Sequence, residues 1–438
     1  MRKSTNLLTI LVLVALVLGA LIGQFFLFDA DASAEKVAET IAPWKTAGDL
    51  TFIRPLRLMI IPLVFTSVLT GICSVGDPKK LGVIGGATVA FYVVTMLLAV
   101  TLGVTLAATI QPGAGFPQES LIDAATPPPV AAPEGDLSDA WIGLLQQMIP
   151  SNALKAAVDG AALSVIAATI LLGVALVAGR EKSRPVIEVV ESLHEALMTI
   201  IHWVLWLMPL GVIFLVAAAV GQVGFGALGE SLGVYIIVVI VGLLIHSLVS
   251  LPIVLALLAR INPFAYLWAM KPALLTAFST SSSMATLPVT IETASEEAGC
   301  SKRAAGIVLP LGATVNMDGT ALYQGIAVMF LFQAYGVDLG FAEYLVIVFT
   351  ATLSAVGAAG IPGGGIPIMM IIIAAVNTSL SGAGKPTLPE SAIALILPVD
   401  RILDMCRTTV NVWGDSVGAR IISKLAPDTD EEREEAFG

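Results

Sequence analysis

The sequence predicts an all-α polytopic membrane protein with eight transmembrane helices and two re-entrant helical hairpins. Three observations carry that expectation. Hydrophobic residues make up 57% of the 438 and charged residues only 13%, and a mean hydropathy of +0.92 excludes a soluble domain. Apolar runs of spanning length recur along the chain, and the two runs in its last third that are broken midway by small residues and proline do not read as simple spans. Finally, Asp400, Asp404, Arg407, Asn411 and Asp415 stand inside an otherwise apolar C-terminal segment.

The first run, 7–28, follows Arg2 and Lys3 and precedes Ala32-Ser33-Ala34, a pattern that imitates a secretory signal. It is longer than the roughly 7 to 15 apolar residues of a signal core, so it reads as a retained first span. Spans two to six follow at 51–74, 83–110, 142–179, 188–221 and 229–260. The run 264–298 is broken at Ser279 to Pro288 and reads as the first hairpin, with 303–332 as the seventh span. The run 341–380 is broken at Ser354 to Gly365 and reads as the second, with 387–424 as the eighth span. A hairpin followed by a polar helix thus occurs twice, the sequence signature of an inverted repeat around a midplane binding site.

Loop charges orient the chain. Arg2/Lys3, Lys79/Lys80, Arg180/Lys182/Arg184, Arg260/Lys271, Lys302/Arg303 and Arg420/Lys424 are expected on the cytoplasmic side. Both termini then face the cytoplasm of a cell (inner or plasma) membrane, and the hairpins enter the bilayer from opposite sides. Much of the net charge of -11 lies between Glu119 and Asp139 and in the tail Asp428 to Glu435, which read as solvated segments, and no nucleic-acid partner is expected. Cys73, Cys300 and Cys406 have neither metal spacing nor a pairing pattern.

At 100° per residue the five polar residues of the last span, with Thr408, fall within about 50° of one line, and Trp413 points the other way. Each central Asp or Arg facing lipid would cost roughly 2.5 to 3.5 kcal/mol, so the stripe must line a buried polar site. Arg407 offers a planar fork for a carboxylate, and Asp404 one turn earlier can receive an ammonium, a spacing that suits an acidic amino acid. In the seventh span Asn316 and Asp318 are two apart and cannot share a helix face. An unwound turn there would free carbonyls that, with a carboxylate, offer all-oxygen coordination to a monovalent cation. The hairpin tips bring helix N-termini to mid-membrane, where Ser281, Ser282 and Ser283 add hydroxyls and Gly357, Gly360 and Gly363 to Gly365 let backbone approach an anion. An intramembrane protease would need a serine with a basic partner or two positioned aspartates. His194, His202 and His246 lie far from the serine run and read as satisfied or interfacial, so no enzyme is expected.

Four motifs in order, Ser281 to Pro288, Asn316-Met317-Asp318-Gly319-Thr320, Gly357-Ala358-Ala359-Gly360-Ile361-Pro362 and Asp404 to Asp415, make the chain resemble the glutamate and aspartate transporter family, the dicarboxylate/amino acid:cation symporters. Its pattern is most similar to that of the prokaryotic sodium-coupled members. The resemblance implies a homotrimer with an elevator mechanism. Residues 1–82 and 111–228 would form a static scaffold, 83–110 and 229–424 a moving transport domain, and 425–438 an acidic tail. It also implies that Arg407 holds the substrate's side-chain carboxylate and Asp404 its amino group, with Asn411, Thr408, Ser283 and Thr320 on the remainder and Ser281, Gly360 and Gly365 at the hairpin tips. Sodium would bind at Gly312, Asn316, Asn411 and Asp415, and again between Thr314, Met317 and the backbone of Ala355, Val356, Gly357 and Ala358. A third ion would lie among Tyr92, Thr95, Asn316 and Asp318.

The chain departs from the family pattern in several places. Met96 stands beside Thr95 where a hydroxyl residue is usual, which weakens the third site; three sodium ions are expected, two being the alternative. Met284 replaces a small residue. Gln324 replaces the glutamate tied to proton and potassium coupling in animal relatives, and it cannot titrate. Relatives place an arginine at the position of Ser281 or of Met405; this chain has neither, and Arg401 is nearby. A C4-dicarboxylate symporter remains the alternative reading, and an anion channel on the same fold the alternative from another class.

Overall fold

The computed structural model describes residues 2–29, 32–74, 78–114, 116, 149, 151–159, 161–355 and 365–425. Among these residues every regular element is helical. The first, α1 (Arg2–Ile22), continues as a π-turn to Leu27. An unanticipated helix follows, α2 (Ala34–Gly48), capped by the Ser33 side chain on the Lys36 amide, and a π-turn at Asp49–Ile53 leads into α3 (Arg54–Ser74). After α4 (Pro78–Ile110), the expected span 142–179 is divided among its described residues. A short helix, α5 (Ala153–Val158), capped by Asn152, stands apart from α6 (Ala162–Gly179). The long α7 (Arg184–Val223) bends by 49° between Ile201 and Trp206, just ahead of Pro209, whose ring cannot accommodate the carbonyl four residues earlier.

The sixth apolar run forms α8 (Phe225–Ile245) and α9 (Leu251–Ala259), joined by a π-turn over His246–Ser250. Pro252 explains the irregularity, because it offers no N–H to the preceding turn. Next come α10 (Pro263–Ala269), α11 (Lys271–Thr280) and α12 (Ser283–Glu292). The chain turns between the last two at Ser281, in the left-handed region with φ 49°, while Ser282 caps α12 through the Ala285 amide. These two helices pack on one another, as do α15 (Phe341–Ala355) and α16 (Gly365–Gly382) further on. Between the pairs lie α13 (Lys302–Val315) and α14 (Asp318–Ala334), separated at Asn316–Met317. The last helix, α17 (Leu397–Ile422), follows a 3₁₀ turn over Glu390–Leu395.

Five of these helices are long and apolar enough to cross a membrane, six if bent α7 counts as one. The eight expected spans are therefore met only in part by that criterion. The second contributes only a short apolar stretch, Ile61–Thr70, and α16, expected as one arm of a hairpin, is itself of spanning length. The seventh span is cut by its break and the eighth carries charge, so neither registers as an apolar segment. Packing sorts the helices into two groups. In one, α1, α2 and α3 lie on α7, with α3 also on α6; in the other, α4, α8, α13 and α14 surround α17, and α11 closes over it. The polar stripe of α17 is thus enclosed, while Ile402 on the same helix stays exposed. Trp413 does turn away from the stripe, yet it too is buried, and its indole N–H donates to the Ser247 carbonyl at 3.0 Å.

Candidate functional site

The break in α13/α14 is what makes the site. Asn316 (φ -102°, ψ 101°) and Met317 (φ -121°, ψ 55°) leave the helix, so α14 starts with no capping side chain of its own. Asn411 of α17 supplies the cap. Its carboxamide oxygen accepts from the Gly319 and Thr320 amides at 2.8 and 3.1 Å, and its Nδ2 donates to Thr320 Oγ1 at 3.0 Å and faces Met317 Sδ at 3.4 Å. Two helices otherwise unrelated in sequence are locked at mid-bundle by one side chain. The approach is close: a Cβ on Gly319 would run into the Arg407 carbonyl oxygen.

Beside the break lies a cluster of buried polar side chains. Asn316 Nδ2 donates to Asp415 Oδ1 at 3.0 Å, and Thr95 Oγ1 lies 3.5 Å from Asn316 Oδ1 and 3.2 Å from the Tyr92 carbonyl. The Tyr92 hydroxyl donates to the Val308 carbonyl at 2.7 Å. Gly312 has no side chain because Asp415 Oδ1 and the Tyr92 hydroxyl occupy the space a Cβ would need. Asp318 is fully buried and neither of its carboxylate oxygens has a hydrogen-bond partner. An unpartnered carboxylate at that depth is costly unless a cation lies beside it. The Asp318 and Asp415 carboxylates, Asn316 Oδ1 and Thr95 Oγ1 present oxygens here, the ligand type that a hard monovalent ion takes.

The second half of the stripe holds an arginine between two aspartates. Arg407 Nη1 donates to Asp400 Oδ1 at 2.8 Å, Nε to Asp404 Oδ1 at 3.0 Å, and Nη2 lies 2.9 Å from the same oxygen. Its guanidinium lies 4.4 Å above the Tyr323 ring, and the Tyr323 hydroxyl donates to Asp400 Oδ1 at 2.8 Å. Asp404 and Arg407 therefore form an ion pair within one turn of α17. Gly365 opens α16 directly against this fork, where a Cβ would come within 2.9 Å of Nη2. The Ser281 and Ser283 side chains are buried with hydroxyls that make no hydrogen bond.

Most of the residues singled out from the sequence converge here. Gly312, Asn316, Asp415, Tyr92 and Thr95 are brought together in one cluster. Thr408 is buried on the stripe, and Ala355 is buried at the end of α15. The Thr314 hydroxyl donates to the Leu311 carbonyl at 3.0 Å, and the Asn411 side-chain oxygen is committed to the start of α14. Val356, Gly357, Ala358, Gly360, Gly363 and Gly364 lie outside the described residues. Among the histidines, His194 is satisfied as expected, 3.2 Å from Thr66 Oγ1, and the side chain of His202 lies outside the description.

His246 corrects the sequence reading. It is neither interfacial nor satisfied. Its side chain is 1% exposed, neither ring nitrogen has a hydrogen-bond partner, and Nε2 lies 3.5 Å from Asp318 Oδ2. The available sign was a polar residue in the middle of the apolar run 229–260. Tyr323, the platform under Arg407, was also missed; it lies on α14 one turn after Thr320.

The family model described as the sodium:dicarboxylate symporter family matches residues 8–425. The chain is 36% identical to the neutral amino acid transporter B(0) of Oryctolagus cuniculus over 97% of this chain and 81% of that protein. It is 32% identical to excitatory amino acid transporter 1 of Ambystoma tigrinum over 86% of this chain and 76% of that protein. With excitatory amino acid transporter 3 of Homo sapiens the identity is 33%, covering 85% and 78%.

Proposed function

The chain belongs to the sodium:dicarboxylate symporter family, a family of membrane transporters and not of enzymes, and from that premise we propose that it is a secondary active symporter in which inward sodium flux drives uptake of an acidic amino acid, L-aspartate or L-glutamate. The observation that carries this reading is Arg407, fully buried, stacked on Tyr323 and facing the start of α16. A fixed guanidinium selects a carboxylate in a bidentate geometry, and Asp404 one turn away selects the amino group. The relatives include proteins named for neutral and for excitatory amino acids, so the charge of the side-chain pocket decides the substrate class. A C4-dicarboxylate would set a second carboxylate against Asp404 with no ammonium between, which is unfavourable.

Asn411, Thr408, Ser283 and Thr320 complete the substrate site, with Ser281, Gly360 and Gly365 at the tips of two re-entrant hairpins. Sodium occupies the pockets at Gly312, Asn316, Asn411 and Asp415, at Thr314, Met317 and Ala355 to Ala358, and at Tyr92, Thr95, Asn316 and Asp318. The buried carboxylate of Asp318, without a hydrogen-bond partner, supports a cation at the last of these. The two packing groups support a division into scaffold and moving transport domain, working as an elevator in a homotrimer of a cell membrane with both termini inside.

Labelled aspartate uptake into proteoliposomes, with sodium and proton gradients imposed separately, tests the reading. Sodium alone should drive accumulation, and unlabelled glutamate should compete where succinate and alanine do not. Uptake blocked by succinate or alanine in place of glutamate would overturn the acidic amino-acid assignment.

A further inference from the structure

Both oxygens of Asp404 are held by arginines. Arg407 binds Oδ1, and Arg401, three residues before Asp404 on α17, places Nη1 3.2 Å from Oδ2. The two arginines differ in burial. Arg407 is 1% exposed, tied to Asp400 and stacked on Tyr323, whereas the Arg401 side chain is 13% exposed. The charges of Asp400, Arg401, Asp404 and Arg407 sum to zero. Without Arg401 the remaining three would leave one uncompensated negative charge in a buried site.

We propose that Arg401 stands in for the substrate's ammonium. In the empty site it neutralises Asp404, and the arriving amino group displaces it from Oδ2. Two consequences follow from the charge count. Substrate binding is weaker than the site could otherwise achieve, because an ion pair breaks when it forms. With no substrate bound, this four-residue cluster is neutral and adds no unpaired charge to a carrier crossing the membrane barrier, where such a charge would be strongly opposed. Arg401 is thus a positioning residue for the return of the unloaded carrier. This inference rests on Asp404 as the acceptor of the amino group.

The test measures three quantities in one proteoliposome preparation: equilibrium binding of labelled aspartate in saturating sodium, aspartate exchange, and net uptake. Wild-type protein should bind aspartate and Asp404→Asn should lose it; failure at this step overturns the assignment of Asp404. If wild-type protein binds a neutral amino acid instead, the same measurements are made with that compound, since the ammonium is common to both. Arg401→Met, which keeps the apolar stem, should bind substrate roughly three- to tenfold more tightly. Its ratio of net uptake to exchange should fall on the order of tenfold, the size expected of about one pair of partly buried charges. Arg401→Lys should restore both quantities towards wild type. Arg401→Gln takes the place of the methionine variant if the latter does not fold. Affinity and ratio within about twofold of wild type, a lysine variant that behaves like the methionine one, or loss of substrate binding in a variant that still binds sodium would each overturn the proposal.

Discussion

The Arg407 guanidinium is enclosed by Asp400, Asp404 and Tyr323 and cannot relax towards water. Its removal leaves a substrate carboxylate and Asp400 without their counter-charge, a loss of roughly 2 to 5 kcal/mol. Arg407→Cys is therefore expected to abolish aspartate binding by isothermal titration while serine or alanine becomes a ligand; undiminished aspartate affinity would refute the assignment. This site was legible because charged residues at a spacing of three and four in an apolar helix have few explanations other than a lined cavity. The partners that tune it were not legible. Tyr323 and His246 reach Arg407 and Asp318 from other helices, and periodicity relates residues only within one element.

Between elements, the close approach of α14 to α17 depends on Gly319, whose missing side chain admits the Arg407 carbonyl. Gly306 on α13 offers a matched comparison, since a Cβ there meets nothing within 4 Å. Gly319→Ala is expected to destabilise the protein by about 1 to 3 kcal/mol through overpacking and to weaken substrate binding. Gly306→Ala should be neutral or stabilising by up to about 1 kcal/mol, because alanine is the better helix former. Thermal unfolding in detergent, with and without sodium and aspartate, separates the two, and equal shifts would show that the packing argument is wrong. The interruption at Asn316–Met317 could be read from the sequence because two polar residues there could not share a face. Helix α2 could not. Its Glu35, Lys36, Glu39 and Lys45 break any apolar run of spanning length, and only the Ser33 cap marks its start. The division between α5 and α6 was signalled by Asp159-Gly160, a turn dipeptide that the apolar composition around it outweighed.

Coupling belongs to the whole molecule, and here two substitutions relative to the family pattern set the expectations. Gln324 is fully buried with neither end of its amide hydrogen-bonded, and it carries no titratable proton. Uptake should therefore be insensitive to internal potassium and independent of a proton gradient; faster turnover on adding internal potassium at clamped voltage would contradict this. The second substitution, Met96, bears on how many sodium ions accompany each substrate. Aspartate enters with a net charge of about -1, so three sodium ions carry about +2 per cycle and two carry about +1. Each charge is worth roughly 2.3 kcal/mol per 100 mV, so the two schemes reverse at measurably different voltages for the same gradients. Met96 is buried next to Thr95 and offers a thioether where an oxygen would serve sodium better. Asp318, by contrast, retains a carboxylate with no hydrogen-bond partner, and an uncompensated charge at that depth costs more than one weak ligand contributes. The third ion should therefore persist with reduced affinity. The wild-type reversal potential is expected to fit three sodium ions, and Met96→Ser should tighten sodium binding without moving it. A reversal potential that fits two ions in the wild type and three in Met96→Ser would mean that the methionine had removed the site, with Asp318 balanced by some other positive charge.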